Sequence, residues 1–143
     1  MEELEKIAEL KKKITDYEEQ LEKLNFKNTA PKNQIFSDMP KSSTGKNSIE
    51  EYVIKKERIQ EKIDCCFEDI KTNWKLAVVK FKKAGLSKVE IKLMKYRFLF
   101  NFKWNLCRKK MQKMFPETKW TDNRIFFTYR EIKDKLAMNG EYI

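Results

Sequence analysis

The sequence predicts an all-α protein made of an N-terminal antiparallel helical hairpin and a C-terminal helix-turn-helix domain. Its 143 residues include three glycines and three prolines, too few for the many tight turns of a β-sandwich or barrel. Apolar residues instead recur at spacings of three and four, which is the period of an amphipathic helix. Two serines are each followed by a glutamate three positions later, a pattern typical of helix N-termini.

Residues 2–24 are predicted to form the first helix of the hairpin, which resembles a coiled coil. Its apolar positions alternate at spacings of three and four, as in the a/d seam of a heptad repeat. Three heptads are too short to be stable alone, so this helix needs a partner, either a later helix of the chain or a second copy. The seam residues predicted to form this partner or oligomer interface are Ile7, Leu10, Ile14, Tyr17 and Leu21.

A polar segment over residues 25–47 interrupts the helical pattern and is predicted to be a mobile linker inside the hairpin. It contains Pro31, Pro40 and Gly45 among Asn, Ser, Thr and Lys, which is a loop composition. Phe36 and Met39 are its candidate docking anchors.

A second, long helix is predicted from Ser48, where Glu51 completes a capping box, to about residue 84, with Gly85 as its stop. We therefore predict a hairpin domain over 1–84 and a basic domain over 85–143. The apolar positions of this helix are Ile49, Tyr52, Ile59, Ile63, Cys66, Phe67, Ile70, Trp74, Ala77 and Phe81. On this helix we expect Cys66 to be buried and Cys65 to lie at the edge.

Three shorter helices are predicted in the second domain. Ser87 and Glu90 open the first, and aromatic residues at every second position from 96 to 104 leave a β-hairpin as an alternative to a helix with a turn at 101–103. A second helix runs from Trp104 to Phe115, and a third begins at Thr121 or Asp122 and ends at Asn139-Gly140. The predicted inner face of the third is Ile125, Phe126, Tyr129, Ile132 and Leu136; the predicted outer face is Asn123, Arg124, Phe127, Thr128, Arg130 and Lys133.

The formal charge of +10 is concentrated at one end of the chain. Residues 86–143 carry 14 basic and 6 acidic side chains, a net +8, whereas residues 1–24 have a net charge of −3. A basic segment with enough aromatic residues for a core is typical of a nucleic-acid-binding module. A lysine-rich helical domain without such a role is the alternative that charge alone leaves open.

Residue content argues against several other classes of protein. Histidine is absent, which excludes the usual nucleophile pairs and imidazole zinc sites, so we expect no enzyme, no metal site and no cofactor. The three cysteines have no CxxC spacing and fit reduced thiols in a cytoplasm. No stretch approaches the ~18 apolar residues of a membrane span, so we expect no membrane partner.

The last two predicted helices carry the chemistry of a DNA reader. Arginine can pair with guanine edges and asparagine with adenine, while lysines on the preceding helix and turn can hold phosphates. The predicted base-contacting residues are Asn123, Arg124, Phe127 and Arg130. The predicted phosphate-contacting residues are Arg108, Lys109, Lys110, Lys113, Lys119 and Lys133.

Four stretches of the sequence resemble one family of proteins. SDMPKSSTGKNSIEEYVIKKERIQEKI, IKLMKYRFLFNFKW, NLCRKKMQKMF and NRIFFTYREIKDKL resemble phage late-transcription regulators of the ArpU, RinA and LtrC type, whose helix-turn-helix is similar to sigma-factor region 4. The resemblance implies a DNA-binding activator of phage late genes that acts with host RNA polymerase in the bacterial cytoplasm. The turn FPETKW and the adjacent Phe126 and Phe127 depart from the pattern of that family.

Two alternatives from other classes remain open. The chain could be a protein-interaction adaptor that binds its partners through the hairpin. It could instead bind single-stranded nucleic acid by stacking bases on Phe100, Trp120 and Phe127.

Overall fold

The computed structural model describes the backbone of residues 1–29 and 42–143 and the side chains of residues 1–26 and 49–143. In these ranges the chain is helical and contains no strand, which confirms the predicted fold class. The helices are α1 (Glu2–Thr29), α2 (Ser42–Lys83), α3 (Lys88–Met94), α4 (Trp104–Met114) and α5 (Asp122–Met138). A single π-helical turn, Lys95–Leu99, directly continues α3.

The chain folds into two compact units. The hairpin unit contains residues 9–69, and the C-terminal unit contains residues 70–143 together with residues 1–8. The division into functional domains at residues 84 and 85 stays a prediction.

In the hairpin unit α1 and α2 pack against each other in antiparallel order. The ring of Tyr17 lies 5.7 Å from Nζ of Lys62, and further along α1 the hydroxyl of Tyr52 hydrogen-bonds to Oδ1 of Asn25. The residue number therefore falls along α2 as it rises along α1. The predicted hairpin is confirmed, and its partner helix is in the same chain.

The predicted seam of α1 faces the interior over its whole length. Ile14 is buried in the hairpin unit and Ile7 in the C-terminal unit. Leu10, Tyr17 and Leu21 are half-buried. Two of the apolar positions predicted for α2, Ile49 and Phe67, are instead exposed. Phe67 is exposed because neighbouring residues point about 100° apart around a helix, and Cys66 occupies the buried direction.

The helices extend further into residues 25–47 than predicted. Residues 25–29 are helical in α1 and residues 42–47 in α2, so Ser48 lies inside a helix and does not begin one. Serine, asparagine and threonine each cost a few tenths of a kcal/mol in a helix and Gly45 about 1 kcal/mol, which such a long paired helix can offset. Phe36 and Met39 lie outside the described residues.

The C-terminal unit begins with the end of α2 and the capped start of α3. Gly85 adopts a positive φ of 82°, and the N–H of Leu86 donates to the carbonyl of Phe81 over 3.0 Å, which ends α2 at the predicted stop. Ser87 and Glu90 form the predicted capping box. After the π turn, Asn101 takes a φ of 55° in a short turn, so among the described residues the β-hairpin alternative is wrong.

The core of the C-terminal unit combines residues from α2 to α5. Its largest fully buried side chains in these helices are Phe81, Leu93, Met94, Cys107, Met111, Ile125, Ile132 and Leu136. These residues follow the predicted three-and-four spacings, so the pattern located most of this core.

The first turn of α1 is held to the C-terminal unit by a small ionic cluster. Nζ of Lys80 lies 2.8 Å from Oε1 of Glu3 and 3.2 Å from Oε1 of Glu141. The amino group of Met1 donates to the carbonyl of Tyr142. Burial of Glu3 raises its pKa, but the hydrogen bond and the charge of Lys80 outweigh burial, and the pKa is lowered overall.

No helix in the described part of the chain has both the length and the apolar character needed to cross a membrane.

Candidate nucleic-acid interface

Helix α5 has one buried stripe and one face open to solvent. Its first turn is capped by Thr121, whose hydroxyl accepts a hydrogen bond from the N–H of Arg124 over 3.2 Å. The buried stripe, which faces the core, consists of Ile125, Thr128, Ile132 and Leu136. The residues predicted to contact bases are all exposed: Asn123, Arg124, Phe127 and Arg130.

The structure exchanges two residues between the predicted faces of this helix. Thr128, expected outside, is only 7% exposed, and Phe126, expected inside, is 50% exposed. Thr128 can be buried because its hydroxyl donates to the carbonyl of Arg124 over 2.8 Å, so that no polar group is left unpaired. Phe126 instead contacts Trp104, with ring centroids 5.8 Å apart. The open face of α5 is therefore more aromatic than predicted.

Two cations on the open side of α5 lie over aromatic rings. The guanidinium of Arg124 is 5.9 Å from the ring of Trp120, and Nζ of Lys133 is 5.3 Å from the ring of Tyr129. Contacts of this kind contribute about 0.5–1 kcal/mol at exposed sites. These contacts limit the positions that the Arg124 and Lys133 side chains can adopt, but both side chains keep their positive charge.

The predicted phosphate contacts on α4 and the following turn differ in what surrounds them. Lys109, Lys113 and Lys119 are exposed. Lys110 is half-buried, with its Nζ 6.0 Å from the ring of Phe102. Like Lys133, these four keep their charge available, and their role as phosphate contacts stays a prediction.

Arg108, the remaining predicted phosphate contact, makes a contact inside the protein. Its Nε lies 3.2 Å from Oδ1 of Asp122, the first residue of α5. This ion pair connects α4 to the start of α5. Arginine has five N–H donors, so the pair leaves others for a phosphate. The contact is a weak link to the start of α5, because the Asp122 side chain is exposed and the buried Nε of Arg108 makes no hydrogen bond to the described residues.

The turn between α4 and α5 is longer than the three to four residues of a minimal helix-turn-helix. It spans residues 115–121, and Trp120 within it is only 4% exposed. The side-chain amide of Gln112 bonds twice across it, donating to the carbonyl of Thr118 and accepting from the N–H of Trp120. The turn between α4 and α5 is long, but these two hydrogen bonds from Gln112 hold its backbone in place.

The far end of α5 is fixed to α3 by a nearly buried carboxylate. Oε1 of Glu90 accepts hydrogen bonds from Nζ of Lys135 over 2.7 Å and from the N–H of Ser87 over 3.0 Å. Burial raises the pKa of Glu90, but the hydrogen bonds from Lys135 and Ser87 and the charge of Lys135 outweigh it, and the pKa is lowered. A nearly buried charged contact thus holds the far end of α5, while the Gln112 hydrogen bonds hold the turn that leads into its start.

Sequence reasoning did not identify the residues that position this face. Three groups hold α5, the turn before it or the start of α4 through contacts with other elements. They are Gln112, the Glu90–Lys135 pair and Arg97. The guanidinium of Arg97 lies 4.6 Å from the ring of Trp104 and donates to the carbonyl of Phe102 over 3.0 Å. Of these, only the Ser87–Glu90 capping box left a signal in the sequence.

In the part of the chain that the structure describes, no three histidine, cysteine, aspartate or glutamate side chains are grouped so as to hold a metal ion. Cys66 and Cys107 are buried and Cys65 is exposed, as predicted for the adjacent pair. Burial raises the pKa of the Cys107 thiol.

Fold and surface together define an all-helical protein that presents a basic and aromatic helix face to solvent. No family model, no curated protein and no solved structure matches this chain.

Proposed function

We propose that this protein binds duplex DNA through its C-terminal unit and regulates transcription. The observation that carries the proposal is the open face of α5, where Asn123, Arg124, Phe127 and Arg130 are exposed opposite the buried stripe. A helix that is anchored at both ends and has one polar, basic face can enter the major groove, where a helix fits.

The side chains on this face suit the edges of bases. Arg124 and Arg130 can each donate two hydrogen bonds to a guanine, and Asn123 can pair with an adenine in the same way. Phe127, which is 57% exposed, can contact a thymine methyl group. Each good bidentate pair contributes about 1–3 kcal/mol of discrimination against the wrong base.

Lysines around this face support binding to the DNA backbone. Lys109, Lys113, Lys119 and Lys133 are exposed, and residues 86–143 have a net charge of +8. Phosphate contacts of this kind set the register of a protein on DNA without reading the sequence.

The regulatory part of the proposal rests on the resemblance to ArpU, RinA and LtrC regulators. It makes the protein an activator of phage late genes that acts with host RNA polymerase in the cytoplasm of a bacterial cell. The hairpin would then contact polymerase or a second copy through its outer surface, because α1 already packs its seam against its own chain.

The test begins with selection of binding sites from a random pool of duplexes, followed by fluorescence anisotropy on the selected site. With about six phosphate contacts, affinity should fall ~10³-fold between 50 and 200 mM salt. The Arg124→Ala/Arg130→Ala variant should lose both affinity and preference for the selected site. Its matched control, Lys12→Ala/Lys71→Ala, removes two exposed cations elsewhere and should retain both.

Two results would reject the proposal: no binding of duplex at 50 mM salt, or equal affinity of the arginine variant and its control. Circular dichroism and thermal unfolding of each variant show whether a loss of binding reflects a loss of fold.

Single-strand binding is the second candidate, favoured by exposed aromatic rings. Phe100 and Phe127 are about half exposed and could stack on bases. Trp120, the third residue predicted to stack, is buried and exposes too little of its ring to do so. Competition between a duplex and its separate strands distinguishes the two candidates, and we expect the duplex to compete better.

A further inference from the structure

Among the described residues, a groove on the hairpin unit is lined by four cations and by no carboxylate. It lies between α1 and α2 and has a volume of about 370 Å³. Its lining residues are Gln20, Lys23, Leu24, Lys55, Arg58, Ile59 and Lys62. This concentration of positive charge is unexpected in a hairpin whose first helix carries a net charge of −3 over residues 1–24.

Helix geometry explains why the cations converge. Lys55, Arg58 and Lys62 are spaced by three and four residues, so they lie on one face of α2 within about 10 Å along its axis. Lys23 faces them from α1, and Leu24 and Ile59 form a half-buried apolar floor between the two helices.

Few acidic groups of the described residues pair with these charges. In the described part of the chain, neither Lys23, Lys55 nor Arg58 lies within 4.0 Å of a carboxylate oxygen. Lys62 lies over the ring of Tyr17 at 5.7 Å, a contact that leaves its ammonium charged. Like charges held close together repel each other, so an anion that binds among them gains energy from all four.

The positive charge has a defined end. The groove next to it shares Arg58 and Lys62 and is also lined by Lys13 and by two carboxylates, Glu61 and Asp69. A long polyanion that extended in this direction would meet two carboxylates. The all-cationic lining therefore does not continue in this direction, which favours a short anion of high charge density.

We propose that this groove binds a ligand that carries two or more linked phosphate groups. An acidic helix can place three carboxylates, each with a single charge, in the ~10 Å that Lys55, Arg58 and Lys62 span on α2. Linked phosphates place more charge in the same length, and Arg58 can bind a phosphate oxygen pair with its planar fork. The phosphates could belong to a free oligophosphate or nucleotide, or to a short stretch of nucleic-acid backbone.

Cys65 provides a reporter for this site. It is the exposed one of the three cysteines, and it lines the adjacent groove beside Arg58 and Lys62. A fluorophore attached to its thiol should change its emission when an anion binds next to it. Cys65 belongs to the hairpin unit, and the Arg124→Ala/Arg130→Ala variant tests whether anions on the basic C-terminal unit contribute to its signal.

The experiment titrates the full-length labelled protein with inorganic tripolyphosphate, with ATP and with a four-nucleotide oligothymidylate at 50 mM salt. We expect saturable binding, weakened at least ~10-fold by Arg58→Ala/Lys62→Ala, the loss of two charge-assisted contacts. The control Lys12→Ala/Lys71→Ala should bind like the wild type. Tighter binding of tripolyphosphate or ATP identifies a free oligophosphate, and tighter binding of the oligonucleotide identifies a nucleic-acid backbone.

The Arg124→Ala/Arg130→Ala variant separates this proposal from the proposed DNA interface, because it should keep the Cys65 response even if it loses duplex binding. The proposal is overturned if the folded wild type gives no saturable response to any of the three ligands. It is equally overturned if the groove variant and its control weaken binding to the same extent, or if a pentaglutamate peptide binds more tightly than tripolyphosphate.

Discussion

The side-chain amide of Gln112 accepts a hydrogen bond of 2.8 Å from the backbone N–H of Trp120, eight residues further along the chain. The same amide donates to the carbonyl of Thr118 over 3.1 Å. One side chain on α4 thus satisfies two backbone groups of the turn that leads into α5. The position of the open face of α5 depends on this turn.

Replacement of Gln112 should therefore destabilise the turn. Gln112→Leu keeps the approximate size of the side chain but leaves a half-buried N–H and carbonyl without their partner, which should lower the free energy of unfolding by about 1–3 kcal/mol. Urea unfolding followed by tryptophan fluorescence measures this change.

Gln60→Leu is the matched control, since among the described residues the exposed amide of Gln60 bonds only to the side chain of Asp64. We expect a change within about 0.5 kcal/mol for it. Equal effects of the two variants would show that Gln112 does not hold the turn.

The contact between Glu90 and Lys135 should contribute to stability more than an exposed ion pair does. Glu90→Ala removes the capping-box carboxylate and leaves Lys135 without its partner, at a cost of about 2 kcal/mol. A double-mutant cycle with Lys135→Met isolates the contribution of the pair. A coupling energy near zero would contradict the predicted link between α3 and α5.

The lowered pKa values of Glu3 and Glu90 predict how stability depends on pH. A carboxyl group whose pKa is lower in the folded state stabilises the fold above its unfolded value, here close to 4.5, and this contribution is lost as the pH falls through the folded value. We expect the contribution of Glu3 and Glu90 to the free energy of unfolding to be constant between pH 7 and pH 5. This contribution should decrease as the pH is lowered from 4.5.

Urea unfolding at pH 7, 5, 4 and 3 measures this dependence, and Glu3→Gln/Glu90→Gln should flatten it. Glu9→Gln/Glu131→Gln removes two exposed carboxylates as a control. An equally flat profile for the control would mean that the acid sensitivity arises from the overall charge of the protein.

Burial predicts that the three thiols react at different rates. Ellman's reagent should modify Cys65 quickly in the native protein, while Cys66 and Cys107 react only on unfolding. The raised pKa of Cys107 lowers its thiolate fraction and slows it further. Rapid reaction of all three thiols at pH 7 without denaturant would contradict the buried positions.

Phe126 and Phe127 are adjacent but should respond differently to truncation. Phe126→Ala loses the contact with Trp104 and should lower stability by about 1 kcal/mol. Phe127→Ala removes an exposed ring, so stability should change within about 0.5 kcal/mol while duplex affinity falls. Thermal unfolding and anisotropy on the same samples make the comparison, and the reverse assignment of effects would show that the faces of α5 are misassigned.

The exchange between Phe126 and Thr128 shows what periodicity can and cannot predict. The spacing of apolar residues correctly placed Ile125, Ile132 and Leu136 inside α5. The same spacing predicted that Phe126 is buried and Thr128 exposed, because phenylalanine is the more hydrophobic. Position 128, however, lies on the buried stripe of α5 between Ile125 and Ile132. Threonine occupies it because its hydroxyl finds a backbone carbonyl within the same helix, a local solution that a hydrophobicity pattern does not register.

Helix ends were predicted correctly where a local motif determines them, and α4 also begins at the predicted Trp104 although no side chain caps it. Ser87 with Glu90 and the positive φ of Gly85 act through neighbours in sequence, and both ends were predicted correctly. The starts and ends around residues 25–47 depend on pairing between distant helices, as in the contact between Asn25 and Tyr52, and were predicted wrongly. The groove cations were missed for the same reason, because they converge from two helices.

The ionic cluster of Glu3, Lys80 and Glu141 has a consequence for synthesis of the chain on the ribosome. Glu3 leaves the exit tunnel long before Lys80, which is 77 residues later, and before Glu141. The first turn of α1 must therefore wait for most of the chain to be translated before it reaches its place in the C-terminal unit. Completion of this unit is for that reason a late event, and a ribosome that stalls before Glu141 would hold a nascent chain whose N-terminal turn has not found all its partners.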